Sequence, residues 1–221
     1  MIIKMYAKPG MSSTEQREHQ ENQENQENQE INDGSNNKVG YLTIVLGCMF
    51  AQKTTELLKR IRRYESIGYK VLVVNFHHDT RYGNNCISSH DIDQHPARLI
   101  GELAQLNDED IKGYNVIIID EGQFFPDLFS KVTEWVDRYP VHVVVSGLDG
   151  DSERRPFGDL LRLIPHSEEV VRLNAYCSKC RDGTIAHFSC RLKASEEQVS
   201  IGAADQYAPM CRHHYLKYKD N

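Results

Sequence analysis

Four groups of residues in this chain have the types and spacing that phosphate and metal chemistry ask for. The stretch GCMFAQKTTELLKR (47–60) reads Gly47-x4-Gln52-Lys53-Thr54. It follows the pattern G-x-x-x-x-G-K-[ST], except that Gln52 stands where the second glycine belongs. In such a loop several backbone N–H groups curl around phosphate oxygens, Lys53 reaches the β- and γ-phosphates as a mobile point charge, and the Thr54 hydroxyl holds Mg2+. A side chain at position 52 either crowds the phosphate or forces a positive φ. The loop tolerates glutamine if that residue keeps a negative φ.

The second group is Asp120-Glu121, at the end of the apolar run in NVIIIDEGQFF. Asp120 there approaches a Mg2+ shell, directly or through water, and Glu121 is free to act as a base. An acidic pair after a strand also serves simply as a helix cap and first-turn acid. The third group is FHHDTRY (76–82), where Asp79 and Arg81 are placed to contact nucleotide or metal, with Arg81 offsetting charge that develops in phosphoryl transfer. The fourth is Cys177-x2-Cys180 with Cys211-x2-His214. Two tight turns supplying two ligands each is the arrangement of a structural zinc site, with no open position for catalysis. His213 as fourth ligand, or incidental cysteines, are the alternatives. His166, His187 and Cys190 read as bystanders, and Cys48 and Cys86 as ordinary thiols.

The elements that must position these groups are short. YLTIVLG (41–47), KVLVVNF (70–76), NVIIID (115–120) and HVVVSGL (142–148) are nearly continuous apolar runs, the pattern of strands covered on both faces in a parallel sheet. Segments 53–66, 97–106 and roughly 127–138 have helical length and period. Their alternation predicts an α/β fold with right-handed crossovers. In a parallel sheet, ligands bind beyond the carboxyl ends of the strands, and the first three groups all fall on that edge. After about residue 165 the alternation stops, which predicts a domain over 39–165 and a smaller Cys- and His-bearing one over 166–221. Residues 1–38, with an ENQ repeat and few apolar side chains, are expected to form a disordered tail whose removal leaves activity intact.

The chain of 221 residues is 39% hydrophobic, which is enough for one substantial core and a smaller unit, and carries a net charge of −6. That balance argues against a nucleic-acid or anionic-membrane surface. No run of 18 apolar residues is present, and six scattered cysteines do not make a disulfide framework. A cytoplasmic, reducing location is the expectation.

Taken together, these motifs resemble the type II (cytosolic, zinc-containing) thymidine kinase family over roughly residues 40–216. LGCMFAQKTTELLKR resembles the family's phosphate loop, DTRY follows it, and DEGQFFPD is nearly diagnostic. SGLDGDSERRPFG, LIPHSEEVVRLNAYCSKC and IGAADQYAPMCRHHY resemble later family segments. The resemblance implies a P-loop parallel-sheet domain with a small C-terminal zinc-binding domain that carries a lasso-like substrate loop, here about Phe188 to Tyr207. It implies ATP held by Gly47, Cys48, Met49, Phe50, Ala51, Gln52, Lys53 and Thr54, with Asp79, Arg81 and Asp120 beside it. Glu121 would be the general base. Met49, Gln123, Phe124, Phe157, Ser189 and Tyr207 would line the nucleoside site.

Transfer of the γ-phosphoryl of ATP to the 5′-hydroxyl of thymidine in nucleotide salvage follows from that resemblance, as do a homotetramer, feedback inhibition by dTTP, and structural Zn2+ with Mg2+. The chain departs from the family at Ala51-Gln52 (usually Ser-Gly), Cys48 (usually Pro) and His214 (usually Cys). A catalytically silent nucleotide-binding relative with a decayed phosphate loop is the alternative reading. Retention of Lys53, Asp120 and Glu121 argues against it.

Overall fold

A computed structural model of the protein describes residues 39–77, 86–88, 94–192 and 206–219. The expected tail, Asp79, Arg81 and the central part of the lasso-like loop lie outside the described residues.

The frame is a six-stranded sheet with every ladder parallel. Its strands are β1 (Tyr41–Gly47), β2 (Val71–Phe76), β5 (Arg98–Ile100), β6 (Val116–Ile119), β7 (His142–Gly147) and β8 (Glu169–Leu173). They are arranged in the order β5-β2-β6-β7-β1-β8. The apolar runs are strands because side chains alternate between two covered faces. Leu42, Ile44 and Leu46 of β1 join one core with Ile117, Ile119, Val143 and Val145, under Leu128, Val132, Trp135 and Val136. Val45, Val73, Ile118 and Val144 form a second core with Leu57, Leu58 and Ile61. Each such side chain contributes about 1.5–3 kcal/mol when fully buried. A small antiparallel pair, β3 (Cys86–Ser88) with β4 (Gln94–Pro96), stands apart from the sheet.

Helix α1 (Lys53–Glu65) presents Leu57, Leu58 and Ile61 to the second core, and its last turn carries Arg62 and Arg63, which favour the negative end of the helix dipole. Placing a charge at Ile61 would break that packing. Helix α3 (Leu128–Arg138) covers the opposite face.

The segment 97–106 is not helical. Leu99, Ile100, Leu103 and Leu106 have a helical spacing, but Arg98, Leu99 and Ile100 pair with Val74, Asn75 and Phe76 as edge strand β5, followed by one 3-10 turn. The free edge of β2 offers a ladder there, and tertiary pairing overrides the local period. The helix of this crossover is instead α2 (Asp108–Lys112), begun by a capping box between Asn107 and Asp110. Strand β8 was also absent from the apolar runs, because as an edge strand it alternates Val170 and Arg172 with partly covered neighbours.

Beyond the sheet, β9 (Ala175–Tyr176) pairs antiparallel with β10 (Ile185–Ala186), and β11 (Phe188–Arg191) pairs with β12 (Tyr207–Met210). Helix α4 (Arg212–Lys219) packs Tyr215 against Cys190, Ala208 and Met210, and its hydroxyl donates to the Ser152 carbonyl at 2.7 Å. Among the described residues, no helix is long and apolar enough to cross a membrane.

Candidate active site

The phosphate-loop residues bridge β1 and α1. Cys48 and Ala51 are buried and pack with Ala175, Cys177 and Ala186, so the loop rests on the β9–β10 hairpin. The Cys48 thiol donates to the Ala186 carbonyl at 3.5 Å, and burial raises its pKa. Its carbonyl accepts the Ala51 N–H at 3.3 Å and Nζ of Lys53 at 3.0 Å, so the lysine lies across the loop it closes. The Met49 N–H donates to Oγ of Ser189 at 2.9 Å. Phe50, with φ 64°, is exposed.

Gln52 does not keep a negative φ. It sits at φ 60° and ψ 34°, in the left-handed region, immediately before the helix. A non-glycine residue pays roughly 1–2 kcal/mol for that conformation. The loop therefore adopts the geometry that glycine would supply and carries the strain.

Asp120 leaves the end of β6 almost completely buried. Its Oδ2 accepts from the Thr54 hydroxyl at 2.9 Å and its Oδ1 from the Glu121 N–H at 3.0 Å. Burial, aided by the charge of Glu121, pushes its carboxyl up to about 6, and the Thr54 bond offsets part of that rise. Glu121 is also left-handed, at φ 52° and ψ 41°, and heads the 3-10 turn Gly122–Phe124. Phe50, Gln52 and Glu121, three non-glycine residues with positive φ on the two loops that meet at one sheet edge, mark a strained site. Glu121 Oε2 accepts from Nε2 of Gln123 at 2.6 Å.

Phe124 lies between Phe76 and Phe157, with ring centroids 5.6 and 5.5 Å away. Tyr207 stands across β11–β12 from Arg191, whose Nε and Nη2 donate to its hydroxyl at 3.0 and 2.6 Å. The structure therefore brings together Lys53, Thr54 and Asp120, with Glu121 next in the chain and joined to Gln123. It sets Ser189 against the loop at Met49.

Sequence reasoning missed two contributors. Arg191 holds Tyr207, and only the register of two strands separated by a loop reveals it. Buried Asp151 accepts from the N–H groups of Glu153 and Arg155 at 2.8 and 2.9 Å and from Nε of Arg155 at 2.7 Å, folding the turn that leads to Phe157. The run DGDSERR carried a turn signal for it.

Cys177, Cys180, Cys211 and His214 have ligand atoms all within 4.8 Å of one another. Cys180 and Cys211 sulfurs are 3.8 Å apart, and Nδ1 of His214 lies 3.6, 3.3 and 3.4 Å from the sulfurs of Cys177, Cys180 and Cys211. Zn–S bonds of about 2.3 Å in a tetrahedron require sulfurs about 3.8 Å apart, so the set fits zinc. His214 rather than His213 is the fourth member. Cys190, His187 and His166 are outside the group.

A family model described as thymidine kinase matches residues 40–215. The chain belongs to the thymidine kinase family. A thymidine kinase of Yaba monkey tumor virus is 39% identical over 182 residues, covering 82% of this chain and 98% of that protein. A thymidine kinase of monkeypox virus is 40% identical over 177 residues, 80% of this chain and 97% of its own. The human protein named "Thymidine kinase, cytosolic" is 40% identical over 189 residues, 83% of this chain and 77% of its own. Membership in the thymidine kinase family makes the chain an enzyme, a kinase, and explains why phosphate-loop and acidic residues share a sheet edge with a zinc-compatible cluster beside them.

Proposed function

We propose that the protein transfers the γ-phosphoryl group of ATP to the 5′-hydroxyl of thymidine, yielding thymidine monophosphate and ADP for DNA precursor synthesis. The observation that carries this reading is the meeting of the Lys53–Thr54 turn with Asp120–Glu121, joined at 2.9 Å through Thr54 and Asp120. Glu121 accepts the hydroxyl proton as the 5′-oxygen bonds to the γ-phosphorus and the bond to the departing ADP oxygen breaks. Lys53, released from the Cys48 carbonyl, follows the charge on the transferred group. Arg81 is assigned the same task and Asp79 a place beside it. Thr54 and Asp120 would hold Mg2+, which neutralises phosphate charge during transfer. There is little covalent work for the protein, so rate comes from positioning and electrostatics.

The nucleoside is assigned to a site lined by Met49, Phe124, Phe157, Ser189 and Tyr207, with Gln123 near it but behind the lining, its amide engaged by Glu121 and the Leu148 N–H. Cys177, Cys180, Cys211 and His214 would hold structural Zn2+ in a C-terminal domain over 166–221, whose strand β8 pairs with β1 of the kinase domain over 39–165. A homotetramer inhibited by dTTP, working in the cytoplasm, completes the reading. No observation favours a catalytically silent protein.

The test is steady-state phosphorylation of a panel of deoxynucleosides with Mg-ATP. Thymidine turnover is expected in the wild type, falling roughly 10²- to 10⁴-fold in kcat in Glu121→Gln. An absence of thymidine turnover by folded, zinc-loaded protein would sink the proposal.

A further inference from the structure

We propose that Gln123 is a positioning residue for Glu121: its side-chain amide aims and holds the catalytic carboxylate, and the loops around it are built to keep that amide in one orientation. The inference rests on the reading of Glu121 as the general base.

Gln123 is 4% exposed and commits both ends of its amide. Nε2 donates to Glu121 Oε2 at 2.6 Å, while Oε1 accepts the Leu148 N–H, just past the end of β7, at 3.0 Å. An amide flip would set its oxygen against the carboxylate and its NH2 against an N–H donor, so the network admits one orientation. The surroundings enforce the same geometry. A Cβ at Gly147 would stand 2.3 Å from Gln123 Oε1, and one at Gly158 would stand 2.3 Å from the Gln123 carbonyl. At Gly158 the fixed backbone of Gln123 and a φ of 59° both call for glycine, and Gly147 leaves the room that the amide oxygen occupies.

Glu121 needs such a brace. Its left-handed backbone throws the side chain off a strained turn, and a base must be held to within a fraction of an ångström of its proton. The amide donor fixes Oε2 and, through it, the orientation of the carboxylate. The brace runs from the end of β6 to the end of β7, so the base is referenced to the sheet rather than to its own loop.

The test compares Gln123→Met, of similar volume with neither donor nor acceptor, with Gln123→Glu, which keeps an acceptor for Leu148 and replaces the donor. Each is made in wild type, and Gln123→Met also in a Glu121→Gln background. Expected is a kcat loss of about 10- to 100-fold with KM for thymidine and ATP within about threefold, since misplacing a catalytic group costs turnover rather than binding. In the Glu121→Gln background, Gln123→Met should cost less than about twofold further, because nothing remains to be aimed.

Should both Gln123 variants keep wild-type kcat while Glu121→Gln loses it, this inference fails and the assignment of the base stands. Losses that multiply fully in the double variant also overturn it, marking a general weakening of the loop. If Glu121→Gln itself turns over normally, the base assignment falls and takes this inference with it.

Discussion

The Thr54 hydroxyl donates to Asp120 Oδ2 at 2.9 Å, tying the first turn after the phosphate loop to the end of a strand two places away in the sheet. The pair that would share Mg2+ is thus already assembled. Asp120→Asn is expected to lower kcat roughly 10²- to 10³-fold and to raise the Mg2+ concentration needed for half-maximal rate. Titrating activity against Mg2+ checks it, and an unchanged metal dependence would remove Asp120 from the shell.

Gln52 in the left-handed region predicts that Gln52→Gly stabilises the protein. Relief of about 1–2 kcal/mol of strain is partly offset by the greater freedom of glycine in the unfolded chain, roughly 0.5–1 kcal/mol. The net gain should raise Tm by about 1–4 °C for a chain of this size. Thymidine kinase activity should persist in both forms. A lower Tm in the glycine variant would mean that the Gln52 side chain makes compensating contacts.

The β9–β10 hairpin, which carries Cys177 and Cys180 of the zinc-compatible set, packs against the phosphate loop at Cys48 and Ala51, and Ser189 of β11 accepts the Met49 N–H. Zinc removal by a chelator, or Cys211→Ser, should therefore cost several kcal/mol of stability and weaken ATP binding as well. Ser189→Ala isolates the link. It deletes one acceptor worth about 0.5–1.5 kcal/mol, so KM for ATP should rise about 2- to 12-fold with zinc retained. Equal ATP affinity in the zinc-free and loaded proteins, measured by calorimetry, would show the loop to be self-supporting.

His142 is held neutral under the sheet edge, its Nε2 2.8 Å from Oγ1 of Thr43 and its Nδ1 3.0 Å from the Tyr64 hydroxyl. Burial and the nearby Arg60 cation lower its pKa from 6.5 to about 4. Protonation therefore favours the unfolded chain. The stability His142 contributes is complete above about pH 6.5 and is lost as pH falls toward 4. Asp120, raised to about 6, acts with the opposite sign over part of that window, so the informative quantity is a difference. The margin of wild type over His142→Gln in urea unfolding should shrink between pH 7.5 and pH 5. A constant margin would contradict a buried neutral imidazole.

The chemistry was legible because it depends on residue type and local spacing. Lys53 and Thr54 open a helix directly after a strand, Asp120 and Glu121 end another, and the Cys and His pairs declare a four-ligand set, all within a few residues of chain. The parallel sheet was legible for the same reason, since β1, β2, β6 and β7 are covered on both faces and need apolar side chains throughout. What tertiary structure decided is everything set by partners distant in sequence. Edge strands β5 and β8 pair on one side only, so their composition did not announce them, and 97–106 kept a helical period while a free strand edge claimed it. The sign of φ at Gln52 was open until the loop was seen pinned between α1, Ser189 and the β9–β10 hairpin. The brace from Gln123 to Glu121 and Leu148, and that from Arg191 to Tyr207, exist only once strands separated along the chain lie side by side. Local pattern specifies which groups can react, and the long-range pairing of backbones fixes where they point.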